Sequence, residues 1–242
     1  MSGTLILYDL ASRHNTAWAP NPWKTRIALN FKRIEYKTEW VEYPDLAPKF
    51  KAVGIPPNDP GAFADYSSPT VRFPDGTYVM DSVRIAKKLE EIFAEPSLHL
   101  NSSASVEADE LAHLLTMALL PGVMPSVVND ILQEPSKSWF VEDREKRFGM
   151  TLEQLAQMAG GEPGWQKAEP TLQKVKELLN DGKKDDGPFV LGKTPSYSDL
   201  IIVAFFECIR RVSKDDYERL MRYDNSFGAL HEACKQWTEK DD

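Results

Sequence analysis

A proline in front of a β-branched pair constrains this chain more than any other feature. Pro69 precedes a Thr-Val pair, and a proline inside a central strand is unfavourable because it has no amide hydrogen for the ladder. The segment becomes sensible if the bond before Pro69 is cis, turning the backbone of Ser68 outward to pair with an extended peptide. Twelve residues after the proline, Asp81-Ser82 begins a helical pattern, where free amides and the helix dipole favour a carboxylate. The sequence therefore predicts a site for an extended peptide that carries a carboxylate.

Strand and helix signals alternate around this motif in the first third of the chain. Asn21 followed by Pro22 is typical of a helix start, and the Asp-Gly pair at 75–76 is a strong hairpin signal. The order βαβαββα predicts a thioredoxin-like α+β domain. Its predicted elements are strands at 4–9, 35–41, 70–73 and 77–80, and helices from 21, near 45–50 and at 82–93.

The remainder of the chain reads as helical, with no convincing strand after residue 105. Pro121 and Pro125 should kink or split the first of these helices, because proline removes a ladder hydrogen bond. Ser196 and Asp199 form a capping pattern ahead of a run that is apolar all round, which predicts a central buried helix. The prediction is a domain at 1–95, a linker at about 96–103 and an all-α domain at 104–242. The predicted helices lie at 106–131, 139–158, 166–180, 198–212 and 225–237.

Composition restricts the class of protein. The formal charge of −8 argues against a general affinity for nucleic acid or anionic membrane. No signal peptide is evident at the N-terminus and no apolar run approaches membrane-spanning length. Cys208 and Cys234 have no CxxC or metal-ligand spacing, which predicts no metal site and suits a reducing cytoplasm. Neither cysteine lies near the first helix, which argues against a thiol-disulfide reductase.

Three ordered motifs carry a family resemblance. They are Leu-Tyr-Asp-Leu at 7–10, Pro-Asn-Pro-Trp-Lys-Thr-Arg at 20–26 and Trp-Val-Glu-Tyr-Pro-Asp at 40–45. Together with the proline and capping motifs, they resemble the glutathione S-transferases, and more specifically the fungal etherase-related class, which is similar to bacterial lignin β-etherases. One departure matters: the active-site serine of the family, before the helix proline, is Ala19 here.

The resemblance implies that glutathione lies extended across the N-terminal domain as the co-substrate. Its cysteine backbone would pair with Ser68 beside Pro69, its γ-glutamyl ammonium would meet Asp81, and its γ-glutamyl carboxylate would meet Ser82. An alternative is that Asp81 only caps its helix. The candidates for the glycine carboxylate of glutathione are Lys49 and Lys51.

The loss of the family serine predicts a weakened transferase, because the glutathione thiolate is the nucleophile. A hydroxyl donor would stabilise the thiolate by about 1.5–3 kcal/mol, or roughly one to two pKa units. Ala19 cannot supply that bond, and Pro20 and Pro22 have no amide hydrogens. The possible substitute donors are the amide and carboxamide of Asn21, and the hydroxyl of Ser12 in the preceding loop.

The second ligand is expected between the two domains, where apolar pockets tend to form. Two functions stay open: an enzyme that conjugates glutathione to aromatic electrophiles or cleaves aromatic ethers, and a non-catalytic binding protein for aromatic or polyphenolic molecules. The loss of the serine favours the second function. The resemblance also implies a homodimer. The predicted pocket residues are Trp18, Met117, Leu120, Pro121, Met124 and Pro125.

Overall fold

The N-terminal part of the computed structural model, which describes residues 3–242, is a four-stranded sheet with three α-helices. The strand order is β2-β1-β3-β4, with β1 and β2 parallel and the other pairs antiparallel. This confirms the thioredoxin-like arrangement. The elements are β1 Leu5–Leu10, α1 Pro20–Phe31, β2 Tyr36–Val41, a 3₁₀ turn at Tyr43–Asp45, α2 Leu46–Ala52, β3 Thr70–Arg72, β4 Tyr78–Met80 and α3 Ser82–Ile92.

Alternation along β1 places helices on both faces of the sheet. Leu5 and Leu7 are buried in the same apolar cluster as side chains of α1 and α3. Tyr8 and Leu10 lie in a second cluster with side chains of α2, where the Tyr8 ring meets Phe50 edge-on at 5.7 Å. Successive side chains of a strand point to opposite faces, so β1, an inner strand between β2 and β3, packs against helices on both sides of the sheet. The end of β1 leads to the loop before α1.

The C-terminal part is helical apart from two isolated β-bridges within residues 189–194, which confirms the all-α domain. The segment 93–102 separates α3 from α4, and the domain boundaries themselves stay a prediction. The helices are α4 Ser103–Ser126, continued by a π-helical turn at Val127–Ile131, α5 Ser136–Phe148, α6 Leu152–Ala159, α7 Gly161–Asn180, α8 Tyr197–Val212, α9 Lys214–Tyr223 and α10 Asn225–Thr238.

Helix boundaries differ from the sequence prediction at several points. The prolines inside α4 do not split it, because packing against α6, α7 and α8 supports the helix along its length. The single helix predicted at 139–158 is two helices. Gly149 ends α5 in the left-handed region at φ +69°, and Thr151 opens α6 with its own capping box. The helix α9 was missed; Ser213 caps it by accepting a hydrogen bond from the amide of Asp216.

By length and composition, the helix Ser103–Ile131 could cross a membrane, contrary to the expectation from the sequence. Half of its most apolar stretch is buried inside the fold. This combination is also found in the core helices of bundles. The predicted central helix is confirmed: α8 is buried along most of its length, and it packs against both α1 and α4.

Candidate functional site

The two halves of the predicted peptide site meet in space. The β3–β4 hairpin pairs Thr70 with Met80, and the amide of Asp81 donates to the carbonyl of Pro69 at 3.2 Å. The bond between Ser68 and Pro69 is cis. The hairpin thus brings Pro69 and Asp81, which are twelve residues apart in the sequence, into direct contact.

Ser68 offers an unpaired stretch of main chain at this position. Its hydroxyl donates to the carbonyl of Tyr8 at 3.0 Å, and the residue is 8% exposed. Across residues 3–242, the main-chain N–H and C=O of Ser68 take no hydrogen bond. Buried backbone groups are nearly always paired, so this segment is suited to accept an extended peptide as a further strand.

Asp81 caps α3 and still has a free carboxylate oxygen. Its Oδ1 accepts from the amides of Val83 and Arg84 at 3.0 Å each, and its backbone is held at φ +86°. Its Oδ2 has no hydrogen-bond partner among the described residues. Capping and ligand binding are therefore compatible at this carboxylate. Ser82 follows, and its carbonyl accepts from the hydroxyl of Tyr197 at 3.1 Å, which ties this end of the site to α8.

The two lysines predicted for the glycine carboxylate differ in their surroundings. The Nζ of Lys49 pairs with the carboxylate of Glu39 in β2 at 2.6 Å, so the charge of Lys49 already has a partner. Lys51 is exposed, and its Nζ lies 5.5 Å from the ring centre of Tyr66, a residue two positions before Ser68. A role of either lysine in binding the glycine carboxylate stays a prediction.

The start of α1 is poor in hydrogen-bond donors. Ala19 is 5% exposed and is the N-cap, with φ −81° and ψ 144°. Pro20 and Pro22 occupy the first and third helical positions, so Asn21 alone among the first three helical residues has an amide hydrogen. Asn21 is exposed. Asn21 as a substitute donor, through its amide or its carboxamide, stays a prediction.

Ser12 does not supply the missing hydroxyl in this structure. Its Oγ donates to the carbonyl of Thr16 at 2.8 Å and accepts from the amide of Thr16 at 3.0 Å. The side chain therefore closes its own loop, as serine side chains commonly do in turns. The expectation that Ser12 turns towards the helix start is corrected on this ground.

Three of the six predicted pocket residues belong to, or pack against, the apolar cluster that contains Ala19. Trp18 is buried, and Leu120 and Met124 pack, partly exposed, against the same group of side chains. Pro121 is buried in α4 and Pro125 is half-buried. Met117 is 45% exposed and lies outside this group, because its position on α4 faces solvent. We call the group the Trp18 cluster; its buried members include Tyr8, Leu10, Trp18, Ala19, Val41, Val123, Val127, Leu132 and Phe140.

A buried ion pair and the C-terminal residues fix the position of α1. Arg26 pairs with Asp9 at 2.9 Å, and both side chains are fully buried. Arg26 also donates to the carbonyl of Asp242 at 2.6 Å, and the amide of Ala17 donates to the carbonyl of Asp241 at 2.8 Å. Sequence reasoning missed this arrangement, although a charged residue among the apolar positions of α1 was a signal that could have found it.

A second missed contact joins the loop before Ser68 to α5. Arg147 donates to the carbonyl of Phe63 at 2.8 Å, and the Phe63 ring lies 4.2 Å from the Arg147 guanidinium and 4.8 Å from that of Arg144. Asn58 in the same loop donates to the Oγ of Ser67 at 3.0 Å. The contact joins the N-terminal and C-terminal parts of the chain, and no sequence signal links positions so far apart.

The cysteines take no part in the site. Both are buried in the helical part of the chain, and burial raises the pKa of the Cys208 thiol to about 12. Within residues 3–242, no group of three or more His, Cys, Asp or Glu side chains could hold a metal ion.

Comparisons with known proteins agree with this geometry. Residues 18–92 match the family described as "Glutathione S-transferase, N-terminal domain", and residues 108–237 match "Glutathione S-transferase, C-terminal domain". The chain is 29% identical to the "Glutathione S-transferase-like protein ustS" of Aspergillus flavus, with 92% of this chain and 86% of that protein covered.

Solved structures give the same result for the whole chain. The glutathione transferase GSTFuA2 of Phanerochaete chrysosporium is similar with a TM-score of 0.86 and 31% identity, and all of both chains is covered. A glutathione S-transferase of Ceriporiopsis subvermispora, solved in complex with glutathione, is similar with a TM-score of 0.83 and 28% identity, covering 99% of this chain and 100% of that one.

Proposed function

Since the chain belongs to the glutathione S-transferase family, we propose that it binds glutathione and transfers it slowly to aromatic electrophiles. The observation that carries the proposal is the unpaired main chain of Ser68 beside the free carboxylate oxygen of Asp81. Glutathione offers a peptide backbone for the first group and a γ-glutamyl ammonium for the second. The relative from Ceriporiopsis subvermispora was solved with glutathione, which supports the same ligand here.

The reaction proposed is nucleophilic substitution by sulfur. The glutathione thiolate attacks an electrophilic carbon, a C–S bond forms, and a halide or aryloxide leaves with the electron pair of the broken bond. Proximity in the site supplies most of the rate enhancement. Thiolate stabilisation is weak because Ala19 has no hydroxyl and the helix start has few amide hydrogens. The cleavage of β-aryl ethers, and with it the etherase-related class, stays a prediction.

A second function is favoured by the same donor-poor helix start: a non-catalytic protein that holds aromatic or polyphenolic molecules against the Trp18 cluster. The half-buried Leu120 and Met124 at the edge of that cluster support an apolar ligand there. Turnover separates the two functions, because only the enzyme consumes glutathione. Purified protein assayed with an aryl halide, an isothiocyanate and a β-aryl ether gives a rate above the uncatalysed reaction if it is the enzyme.

Glutathione binding itself is tested by calorimetry on an Asp81→Asn variant. Asparagine retains an oxygen that caps α3 but loses the charge that meets the ammonium, so we expect about tenfold weaker binding, within the range for a hydrogen bond to a charged group. Asp224→Asn is the matched control, because Asp224 caps α10 in the same way. Equal affinity for glutathione in the wild type and Asp81→Asn would refute the placement of the γ-glutamyl group.

We further propose that the chain forms a homodimer in the cytoplasm. Val106, Leu114 and Met117 on α4 are exposed, as are Val53 and Phe63 in the N-terminal part, so each part offers apolar surface to the other part of a second copy. Light scattering after size exclusion tests the dimer: a mass of twice 27.4 kDa supports it and a monomer mass refutes it.

A further inference from the structure

A tyrosine of α8 contacts the first residue of α3. The hydroxyl of Tyr197 donates to the carbonyl of Ser82 at 3.1 Å, and the two residues are 2% and 5% exposed. They lie 115 positions apart in the sequence. The bond therefore joins the helical part of the chain to the segment proposed to hold the γ-glutamyl group of glutathione.

The position of Tyr197 is itself fixed by the start of α8. Its amide donates to the carbonyl of Leu98 at 2.8 Å. One carboxylate oxygen of Asp199 accepts from the amide and the hydroxyl of Ser196 at 2.7 and 2.8 Å, which caps the helix that begins with Tyr197. Burial raises the pKa of the Tyr197 hydroxyl above its ordinary value, so the hydroxyl remains a donor at neutral pH.

The residue before Ser82 has a strained backbone. Asp81 has φ +86° and ψ 128°, a region that residues with a side chain rarely adopt. Such a conformation is unfavourable on its own and persists only where the surrounding structure fixes it. Within the N-terminal part, the amide of Asp81 donates to the carbonyl of Pro69. Across residues 3–242, the bond from Tyr197 is the one hydrogen bond that Asp81 or Ser82 receives from the C-terminal part.

The strained turn sets the direction of the free carboxylate oxygen. The Oδ1 of Asp81 accepts from two amides of α3, so the position of its Oδ2 follows from the turn and from the start of that helix. Tyr197 holds the peptide between them. A charged group that is held in place before the ligand arrives binds it more strongly, because less ordering is needed on binding.

We propose that Tyr197 is a positioning residue for glutathione binding, whose hydroxyl holds the peptide at Ser82 so that the free carboxylate oxygen of Asp81 faces the γ-glutamyl ammonium. The inference rests on the proposed function, because it requires glutathione at Asp81. It goes beyond that function by linking a residue of the helical part to the affinity for one end of glutathione. Tyr197 then affects glutathione binding and leaves the attack of the thiolate unchanged.

The experiment measures glutathione binding by calorimetry, and KM and kcat with an aryl halide, for the wild type, Tyr197→Phe and Tyr217→Phe. Phenylalanine retains the buried ring at position 197 and removes only the hydroxyl. We expect Tyr197→Phe to bind glutathione about fivefold to tenfold more weakly and to raise the KM for glutathione by the same factor, with kcat within about twofold of the wild type. Tyr217→Phe is the matched control, because it removes a tyrosine hydroxyl that lies 2.8 Å from the Nδ1 of His231 in the helical part; it should leave the affinity unchanged.

The variant Asp81→Asn separates positioning from a general loss of structure. If Tyr197 acts through the Asp81 carboxylate, the effects of the two substitutions are not additive, and Tyr197→Phe should change the affinity of Asp81→Asn by less than about twofold. Full additivity, or equal glutathione affinity in the wild type and Tyr197→Phe, would overturn the positioning role and leave glutathione binding standing. A wild type that binds no glutathione would overturn the proposed function as well.

A measurement on the unmodified protein covers the case in which a variant fails to fold. Burial raises the pKa of Tyr197 most, and the nearby carboxylates of Asp109 and Asp81 raise it further, so the hydroxyl senses the charge at Asp81. In protein with ¹³C-labelled tyrosine, the Cζ resonance of Tyr197 should move on saturation with glutathione and stay in place with cysteinylglycine, which lacks the γ-glutamyl group. An unmoved resonance at saturating glutathione would overturn the proposal.

Discussion

The variant Ala19→Ser tests the account of thiol activation directly. Ala19 is the N-cap of α1, and a capping side chain normally accepts from the amides of the second and third helical residues. The third residue is Pro22, which has no amide hydrogen, so the amide of Asn21 is the one main-chain donor of that pair. A serine oxygen at position 19 can accept that bond while its O–H donates to the glutathione sulfur.

The size of the effect follows from the strength of that hydrogen bond. A bond to a charged group stabilises the thiolate by about 1.5–3 kcal/mol, which lowers the thiol pKa by roughly one to two units. From a starting value of about 8.5, the thiolate fraction at pH 6.5 rises about tenfold to fiftyfold. Each unit of pKa also reduces thiolate nucleophilicity about threefold, so the net gain in turnover at pH 6.5 is roughly threefold to sixfold.

The sign of the effect reverses at high pH. Above the thiol pKa of the wild type, both proteins hold mostly thiolate, and the less basic thiolate of the variant is the slower nucleophile by roughly twofold to sixfold at pH 9. The pH–rate profiles of the wild type and Ala19→Ser should therefore cross. A general change in stability or in substrate binding would shift the profile without such a crossing.

The assay combines ultraviolet titration of the bound thiolate with turnover of an aryl halide between pH 6.5 and 9. Ala17→Ser is the matched control, because it adds the same hydroxyl to the same loop in the other core cluster. The reasoning is refuted if the wild type already holds its bound thiol well below the ordinary pKa and serine changes neither the pKa nor the rate. Another donor, with Asn21 the first candidate, would then activate the sulfur.

The remaining predictions concern stability and reactivity. Asp9→Asn should lower the free energy of unfolding in urea by about 3–5 kcal/mol, because it leaves the Arg26 charge buried and unpaired; a loss below 1 kcal/mol would contradict this. Burial acts to raise the pKa of Glu207, but hydrogen bonds from His231 and a neighbouring arginine hold it below the usual range. The stability that the Glu207 carboxylate contributes to the fold is therefore complete above the unfolded pKa of about 4.3. It is lost as the pH falls through the lower pKa of the folded state. Glu207→Gln should flatten the fall of Tm between pH 5 and 3, and an unchanged slope would refute the assignment. Burial raises the pKa of Cys208 to about 12, so the native protein should react with a chromogenic disulfide at pH 8 far more slowly than the unfolded protein, with absorbance recording both rates.

Local signals in the sequence were sufficient to predict the architecture and the part of the site that contains Pro69 and Asp81. The Asp-Gly turn specifies the β3–β4 hairpin, and the hairpin in turn brings Pro69 to Asp81. The alternation of β1 and the capping pattern before α8 are likewise short-range features. A local signal was ambiguous at Pro121 and Pro125, which predicted either a kink or a split. The split is wrong, because packing against three other helices supports α4 along its length.

The sequence by itself determined the fold class, the order of the elements, the position of the peptide-binding motif and the absence of the family serine at Ala19. These features depend on residues a few positions apart, whose steric and hydrogen-bonding preferences act before the chain folds. Only the tertiary structure decided that Arg147 holds Phe63 and that the Trp18 indole is unpaired within residues 3–242. Whether a polar atom has a partner is decided by which distant side chains pack around it, and no local preference encodes that.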